Sequence, residues 1–155
     1  MRKWIENTIT DSDVESLLGL EQNKKRHDFS SISIPSFTHL CSVIEDSIPE
    51  KVIWGKPSYY RIENRPKDHP KHYDGCTIDG AKNHMSWCRY TAVSILTTGW
   101  EGGELIFHNP HQTYHHDLYL GTVVYSSASN NNPQLHERKA HNGSRYALLM
   151  FLATE

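Results

Sequence analysis

The chain has no apolar run long enough to span a bilayer, and its charged opening, Met1-Arg2-Lys3-Trp4, is followed by no signal-peptide core. Cysteine is scarce: Cys41, Cys76 and Cys88 are the only three, and none form a C-x-x-C pair. An odd number at such spacing argues against a disulfide frame or a zinc knuckle and reads as free thiols in a reducing compartment. No long block carries one sign of charge, since 16 basic side chains face 18 acidic ones for a formal net charge of −2. That balance argues against general nucleic-acid binding, and the short run Lys24-Lys25-Arg26-His27 reads as a solvated loop. Internal repeats, linkers and low-complexity tracts are missing, apart from Asn130-Asn131-Asn132. No Ser/His/Asp or Cys/His arrangement for nucleophilic catalysis is recognisable. The expectation is a single cytoplasmic domain over residues 1–155, large enough for a real core and with no membrane partner.

What the chain does contain is two helical patterns followed by many short strand patterns. Thr10 and Asp13 mark a capped helix start, with Val14, Leu17 and Leu18 at helical spacing and Gly19 near its end. Residues 21–34 read as a loop with a short strand around Ile32 and Ile34. A second helix is predicted from Ser36 as cap, with Phe37, Leu40, Cys41, Ile44 and Ile48 as its stripe and Pro49 as its stop. Beyond Pro49 strands are predicted at 52–54, 58–62, 89–96, 104–107, 118–125, 135–136 and 145–152, with loops at 63–71, 75–87, 108–117 and 126–133. The order predicts a mainly β (α+β) fold, a jelly roll (core about 51–153) with N-terminal helices (about 1–50) packed on one sheet.

Two stretches carry chemistry. In an extended segment i and i+2 point the same way, so His72 and Asp74 can reach one point, with Tyr73 turned away. An imidazole and a carboxylate are two thirds of the facial triad that holds non-haem Fe(II). The motif alone is weak: the chain has 11 histidines, and a second H-x-D stands at His115-His116-Asp117. The loop 75–87 is expected to bring Cys76 and Trp87 near the metal. The last strand is the second clue. Arg145, Ala147, Leu149 and Phe151 share one face and Tyr146, Leu148, Met150 and Leu152 the other, as expected between a barrel interior and covering helices. A guanidinium at the mouth of an apolar cavity needs an anion, and its fork suits a carboxylate; a surface ion pair is the plainer alternative.

His72-x-Asp74, Trp100-Glu101-Gly102-Gly103-Glu104-Leu105, Gly121 before a β run, His136-Glu137 and Gly143-x-Arg145-Tyr146 occur in that order. Over roughly residues 58–152 this series resembles the Fe(II)/2-oxoglutarate dioxygenases, specifically the prolyl-4-hydroxylase-like branch, whose barrel is a double-stranded β-helix. The resemblance implies that His72, Asp74 and His136 bind iron and that Arg145 pairs with the distal carboxylate of 2-oxoglutarate. It also implies O2 as oxidant, ascorbate as a stimulant, and hydroxylation of a C–H bond with release of succinate and CO2. The position of the strand tyrosine that often helps bind 2-oxoglutarate holds Leu96, which leaves Tyr60, Tyr90 or Tyr125 for that contact. Ala147 removes the R-x-S form of the site, Phe151 stands where the nucleic-acid demethylases carry a second arginine, and Asp74 differs from the small residue of the halogenases. The implied substrate is a peptidyl proline, with a free amino acid or other small metabolite as the alternative. The implied state is a monomer or weak homodimer. A cupin-like module holding Zn or Ni without turnover is the rival from another class. His108, His111, His115 and His116 are expected either as a metal-binding rim near the site or as scattered surface histidines.

Overall fold

The computed structural model describes residues 1–20, 25–31 and 37–155. The short strand expected near Ile32 and the Ser36 cap lie outside the described residues. The first helix, α1 (Asp11–Leu18), begins with a reciprocal cap: Asp13 N donates to Thr10 Oγ1 at 3.2 Å and Thr10 N to Asp13 Oδ2 at 3.3 Å. The second, α2 (Phe37–Ser47), buries Phe37, Leu40 and Ile44 along one face. No helix among the described residues is long and apolar enough to cross a membrane.

The strands form two main antiparallel sheets and a two-stranded ribbon. In the larger sheet β1 (Arg2–Ile5), β9 (Thr122–Ser126), β5 (Tyr90–Ile95) and β12 (Ala147–Thr154) lie side by side. The far edge of β12 is paired by both β2 (Val52–Ile53) and β3 (Tyr59–Glu63). In the smaller sheet the order is β4 (His69–His72), β10 (His136–Arg138), β7 (Leu105–His108) and β8 (His111–Tyr114). The ribbon joins β6 (Glu101–Gly102) to β11 (His141–Asn142). This is the double-stranded β-helix expected, with five strands beyond those expected, the short β6 and β11 among them. The polar stretches holding β4 and β8 were expected as loops, and β1 adds a strand to the part expected to be helical.

Period-two alternation divides the larger sheet into two unlike faces. Outward, Tyr60, Ile62, Leu148, Met150 and Leu152 pack with Leu17, Leu40 and Ile44 of the helices, all at or near full burial. Each such aliphatic side chain contributes roughly 1.5–3 kcal/mol on burial. Inward, Val93, Ala147, Leu149 and Phe151 line, with Leu105 of the smaller sheet, an open cavity of about 380 Å³. The alternation expected for β12 is therefore the one observed.

Candidate active site

His72 and His136 are Cα partners across the antiparallel pair β4–β10. Directly paired residues on neighbouring strands project to the same face, so their imidazoles meet, with ring centres 4.3 Å apart. Asp74 follows β4 in a bend that presses onto the end of the larger sheet. There Gly75 N donates to the Ser127 carbonyl, and a Cβ at position 75 would fall 2.5 Å from that oxygen, so only glycine allows this approach. The bend turns Asp74 Oδ1 toward both rings, at 3.1 Å from His72 Nε2 and 3.6 Å from His136 Nε2. One ligand atom from each of the three lies within 4.8 Å of the others, and they form the only such cluster found among the described residues.

Both imidazoles are oriented for metal. His72 Nδ1 donates to the Pro70 carbonyl and His136 Nδ1 to the Gln134 carbonyl, each at 2.8 Å. A carbonyl oxygen only accepts, so Nδ1 carries a proton and Nε2 is the atom each ring turns toward Asp74 and would offer to a metal once deprotonated. Tyr125 Oη donates to Asp74 Oδ2 at 2.8 Å and lies 3.3 Å from His136 Nε2. Burial opposes ionisation of Asp74, yet the two imidazoles and the Tyr125 hydroxyl hold its carboxyl well below the usual range. Burial would depress His72, but its hydrogen bond to Asp74 and the charge there raise it above the ordinary value. His136 is depressed by burial, which Asp74 only partly offsets. Two imidazoles and one carboxylate with space beside them suit a non-haem iron site, so the donor set fits the ion.

Arg145 lies between β11 and β12 and lines the same cavity. Its side chain is admitted by Gly103, where a Cβ would lie 2.6 Å from Arg145 Cδ and 2.7 Å from Nε. The guanidinium sits 5.1 Å over the Trp100 ring, the residue is only 4% exposed, and its Nε has no hydrogen-bond partner. No ion pair among the described residues includes it. Burial, then repulsion from Arg138, outweighs the attraction of Glu104 and lowers its pKa to about 10, so it stays charged at neutral pH. A buried cation without a counter-ion is unfavourable by several kcal/mol, and a ligand carboxylate relieves that.

The three tyrosines divide. Tyr125 lines the cavity beside the triad, whereas Tyr60 and Tyr90 do not line it. Tyr60 packs with Phe29 and Phe37 under the helices, and Tyr90 donates its hydroxyl to Glu50. The parity of β3 explains the correction: Tyr59, Arg61 and Glu63 pair with Phe151, Leu149 and Ala147 and share their inward face. Tyr59 is thus a cavity residue missed by one position. His69 was missed as well; it stacks on His72 at 3.8 Å, and burial with the neighbouring His72 presses its pKa to about 4. From the loop 75–87 the lining residues are Asn83, His84 and Met85 rather than Cys76 or Trp87. His108, His111, His115 and His116 do not line the cavity; His108 Nε2 meets Glu137 at 2.8 Å and His115 Nε2 lies 3.5 Å from Glu104. His141 is buried beside Arg145, with Nδ1 donating to the Gly143 carbonyl at 3.2 Å, and is not part of the triad.

No protein-family model and no curated protein sequence matches the chain. Solved structures do. A prolyl-4-hydroxylase from Pseudomonas putida matches at TM-score 0.65 and 14% identity, over 99% of this chain and 92% of that one. The viral collagen prolyl hydroxylase of Paramecium bursaria Chlorella virus-1, solved as a 2OG complex, matches at 0.64 and 12%, over 99% and 96%. A prolyl hydroxylase from Trichoplax adhaerens, bound to a peptide fragment of the hypoxia inducible factor oxygen degradation domain, matches at 0.64 and 15%, over 99% and 83%. At these identities the likeness is one of fold, and the fold is that of the prolyl-hydroxylase-like 2-oxoglutarate oxygenases.

Proposed function

We propose that the chain is an Fe(II)- and 2-oxoglutarate-dependent oxygenase that hydroxylates a C–H bond of a peptidyl-proline-type substrate. The observation that carries this reading is Arg145, a buried guanidinium with no ion pair among the described residues and an unbonded Nε, which shares one cavity with a two-histidine, one-carboxylate cluster. A module that only stores metal has no use for such a cation. His72 Nε2, His136 Nε2 and an Asp74 oxygen would hold the iron, leaving positions open for ligands. When bound, iron and 2-oxoglutarate supply the O2-dependent chemistry that yields succinate, CO2 and the hydroxylated substrate.

The protein's own side chains orient and shield. The Pro70 and Gln134 carbonyls fix the two imidazoles, and Tyr125 fixes the carboxylate through the Oδ2 that Asp74 does not turn toward the rings. Arg145 would take the distal carboxylate of the keto acid through its fork. Val93, Leu105, Ala147 and Leu149 give the cavity an apolar lining that limits water around the co-substrate. The peptide-bound Trichoplax relative supports a peptidyl substrate, and a free amino acid is the competing small-molecule class.

The test is binding before turnover. Fe(II) and 2-oxoglutarate added under anaerobic conditions should give a weak visible charge-transfer band, and admission of O2 should then yield succinate. Tight metal binding with no band at any 2-oxoglutarate concentration would leave a bare metal module. Turnover against proline-rich peptides and free amino acids then identifies the substrate.

A further inference from the structure

Besides Arg145, four arginines line the cavity: Arg26, Arg61, Arg65 and Arg138. The chain has seven arginines in all, so five of them converge here, and no described lysine lines the cavity. This happens in a protein whose formal net charge is −2. The choice of guanidinium over ammonium points to ligands with planar, two-oxygen groups.

The local carboxylates do not balance this charge. Asp74 is taken up by the two histidines and Tyr125. Glu63 lies 2.6 Å from Arg61 Nε and 3.3 Å from an Arg65 amino nitrogen, one carboxylate for two guanidiniums. Arg138 donates only to backbone carbonyls, at 2.9 Å to Lys67 and 3.3 Å to Lys139. Arg26 lies over the Tyr59 ring at 4.5 Å. After Arg145 is set aside for the co-substrate, four guanidiniums share one lining carboxylate, Glu63, with Asp68 acting on Arg138 from outside the lining.

Their placement matters as much as their number. Arg61 and Glu63 alternate on the inward face of β3 and Arg65 continues that spacing; Arg138 follows His136 by two residues on β10, opposite His69. Arg61 and Arg65 meet on one Glu63 oxygen, while Arg138 comes from a strand of the smaller sheet and Arg26 from its own segment, so the four are spread along the mouth and do not all close around one point. A single phosphate needs donors that converge. Charges spread over both walls of the mouth suit several acidic side chains of an extended peptide.

We infer that the cavity mouth selects an acidic peptide segment, bound extended along β3 and β10 with aspartate or glutamate on Arg61, Arg65 and Arg138. This deepens the oxygenase reading by naming its substrate class, and rests on that reading for what is done to the peptide.

The experiment is fluorescence anisotropy with labelled peptides that share a central proline and differ only in flanking residues: Asp/Glu, Ser/Gly or Lys. The acid-flanked peptide should bind about tenfold or more tighter than the neutral one at low ionic strength, with the gap shrinking as salt rises. Arg65→Gln should narrow the preference. The double change Arg26→Glu with Arg65→Glu should invert it toward the Lys-flanked peptide, an outcome that mere unfolding does not produce. Equal affinity for acidic and neutral peptides would overturn the inference. Displacement of the acidic peptide by free glutamate at a comparable concentration would also overturn it, by assigning the row to a small acid. The anaerobic 2-oxoglutarate band keeps the two readings apart. Acidic-peptide binding without the band sinks the oxygenase and leaves the charge selectivity standing; the band without charge preference does the reverse.

Discussion

The two faces of β3 and β12 are built from alternate residues of the same strands and obey different rules. On the helix side Tyr60, Ile62, Leu148 and Met150 lie in a closed apolar cluster. On the cavity side Tyr59, Arg61 and Glu63 face Phe151, Leu149 and Ala147, and Arg145, just before β12, has no ion pair among the described residues and an unbonded Nε. One face is complete in itself. The other is complete only with something bound, and that asymmetry separates residues that hold the fold from residues that await ligands.

The comparison breaks most severely at the metal. His72→Ala or His136→Ala should abolish succinate formation while leaving circular dichroism near wild type, because both imidazoles project into the cavity. His115→Ala is the matched control, as it contacts Glu104 and Trp100 outside the cavity, and should keep most activity. Retained turnover in either triad variant would remove that residue from the metal site.

The next effect is on stability. Leu148→Ala should lose about 2–5 kcal/mol in urea denaturation, since the side chain is fully buried among neighbours that cannot collapse into the gap. Leu149→Ala, one residue on and facing the open cavity, should lose clearly less. Equal losses would mean that the two faces are packed alike.

Tyr125→Phe sharpens the contrast on the inward side. It removes the hydroxyl that orients Asp74 and keeps the ring against Phe107. Iron affinity should fall by about 10–100-fold with little change in stability. Unchanged affinity would make the hydroxyl a bystander.

The smallest effect has the opposite sign. Arg145→Met should stabilise the ligand-free protein by on the order of 1–3 kcal/mol, because it removes a buried, unpaired charge. The folded-state pKa, lowered to about 10, lies below the ordinary value of 12.5. The penalty is therefore fully present at every pH below about 10 and is relieved only as the pH rises through it, so the gain should not vary between pH 6 and 8. A lower melting temperature for Arg145→Met would mean the arginine has a structural partner.

Much of this was legible in the residues themselves, and the failures have physical causes. The alternation in 145–152 assigned both faces of β12 because one set is wholly apolar and the other begins with arginine. The His72–Asp74 pair was expected from strand parity, yet β4 ends at His72 and a bend brings Asp74 in, so Tyr73, expected to turn away, also lines the cavity. Which histidine completes the cluster is a matter of strand pairing, which no local pattern carries. His69-Pro70-Lys71 and His111-Gln112-Thr113-Tyr114 were expected as loops because exposed edge strands carry almost no apolar signal. Tyr59 and Tyr60 were confused because two adjacent tyrosines differ only in parity, and register against β12 decides parity. The polar residues Arg61 and Glu63 share Tyr59's parity and held the hint. The arginine row was invisible along the chain, since β3, β10 and the segment at Arg26 meet only in the folded protein.

The account turns on Arg145 meeting a ligand carboxylate. The measurement that tests this most directly is 2-oxoglutarate titration of wild type, Arg145→Lys and Arg145→Ala at saturating Fe(II). A desolvated, charge-assisted pair lost by truncation is worth on the order of 2–5 kcal/mol, so Arg145→Ala should raise the apparent constant by roughly 30-fold to several thousand-fold. Arg145→Lys should fall between, keeping the charge and losing the fork, and iron affinity should change little in either. Equal constants for wild type and Arg145→Ala would contradict the account, by removing the arginine from the co-substrate site.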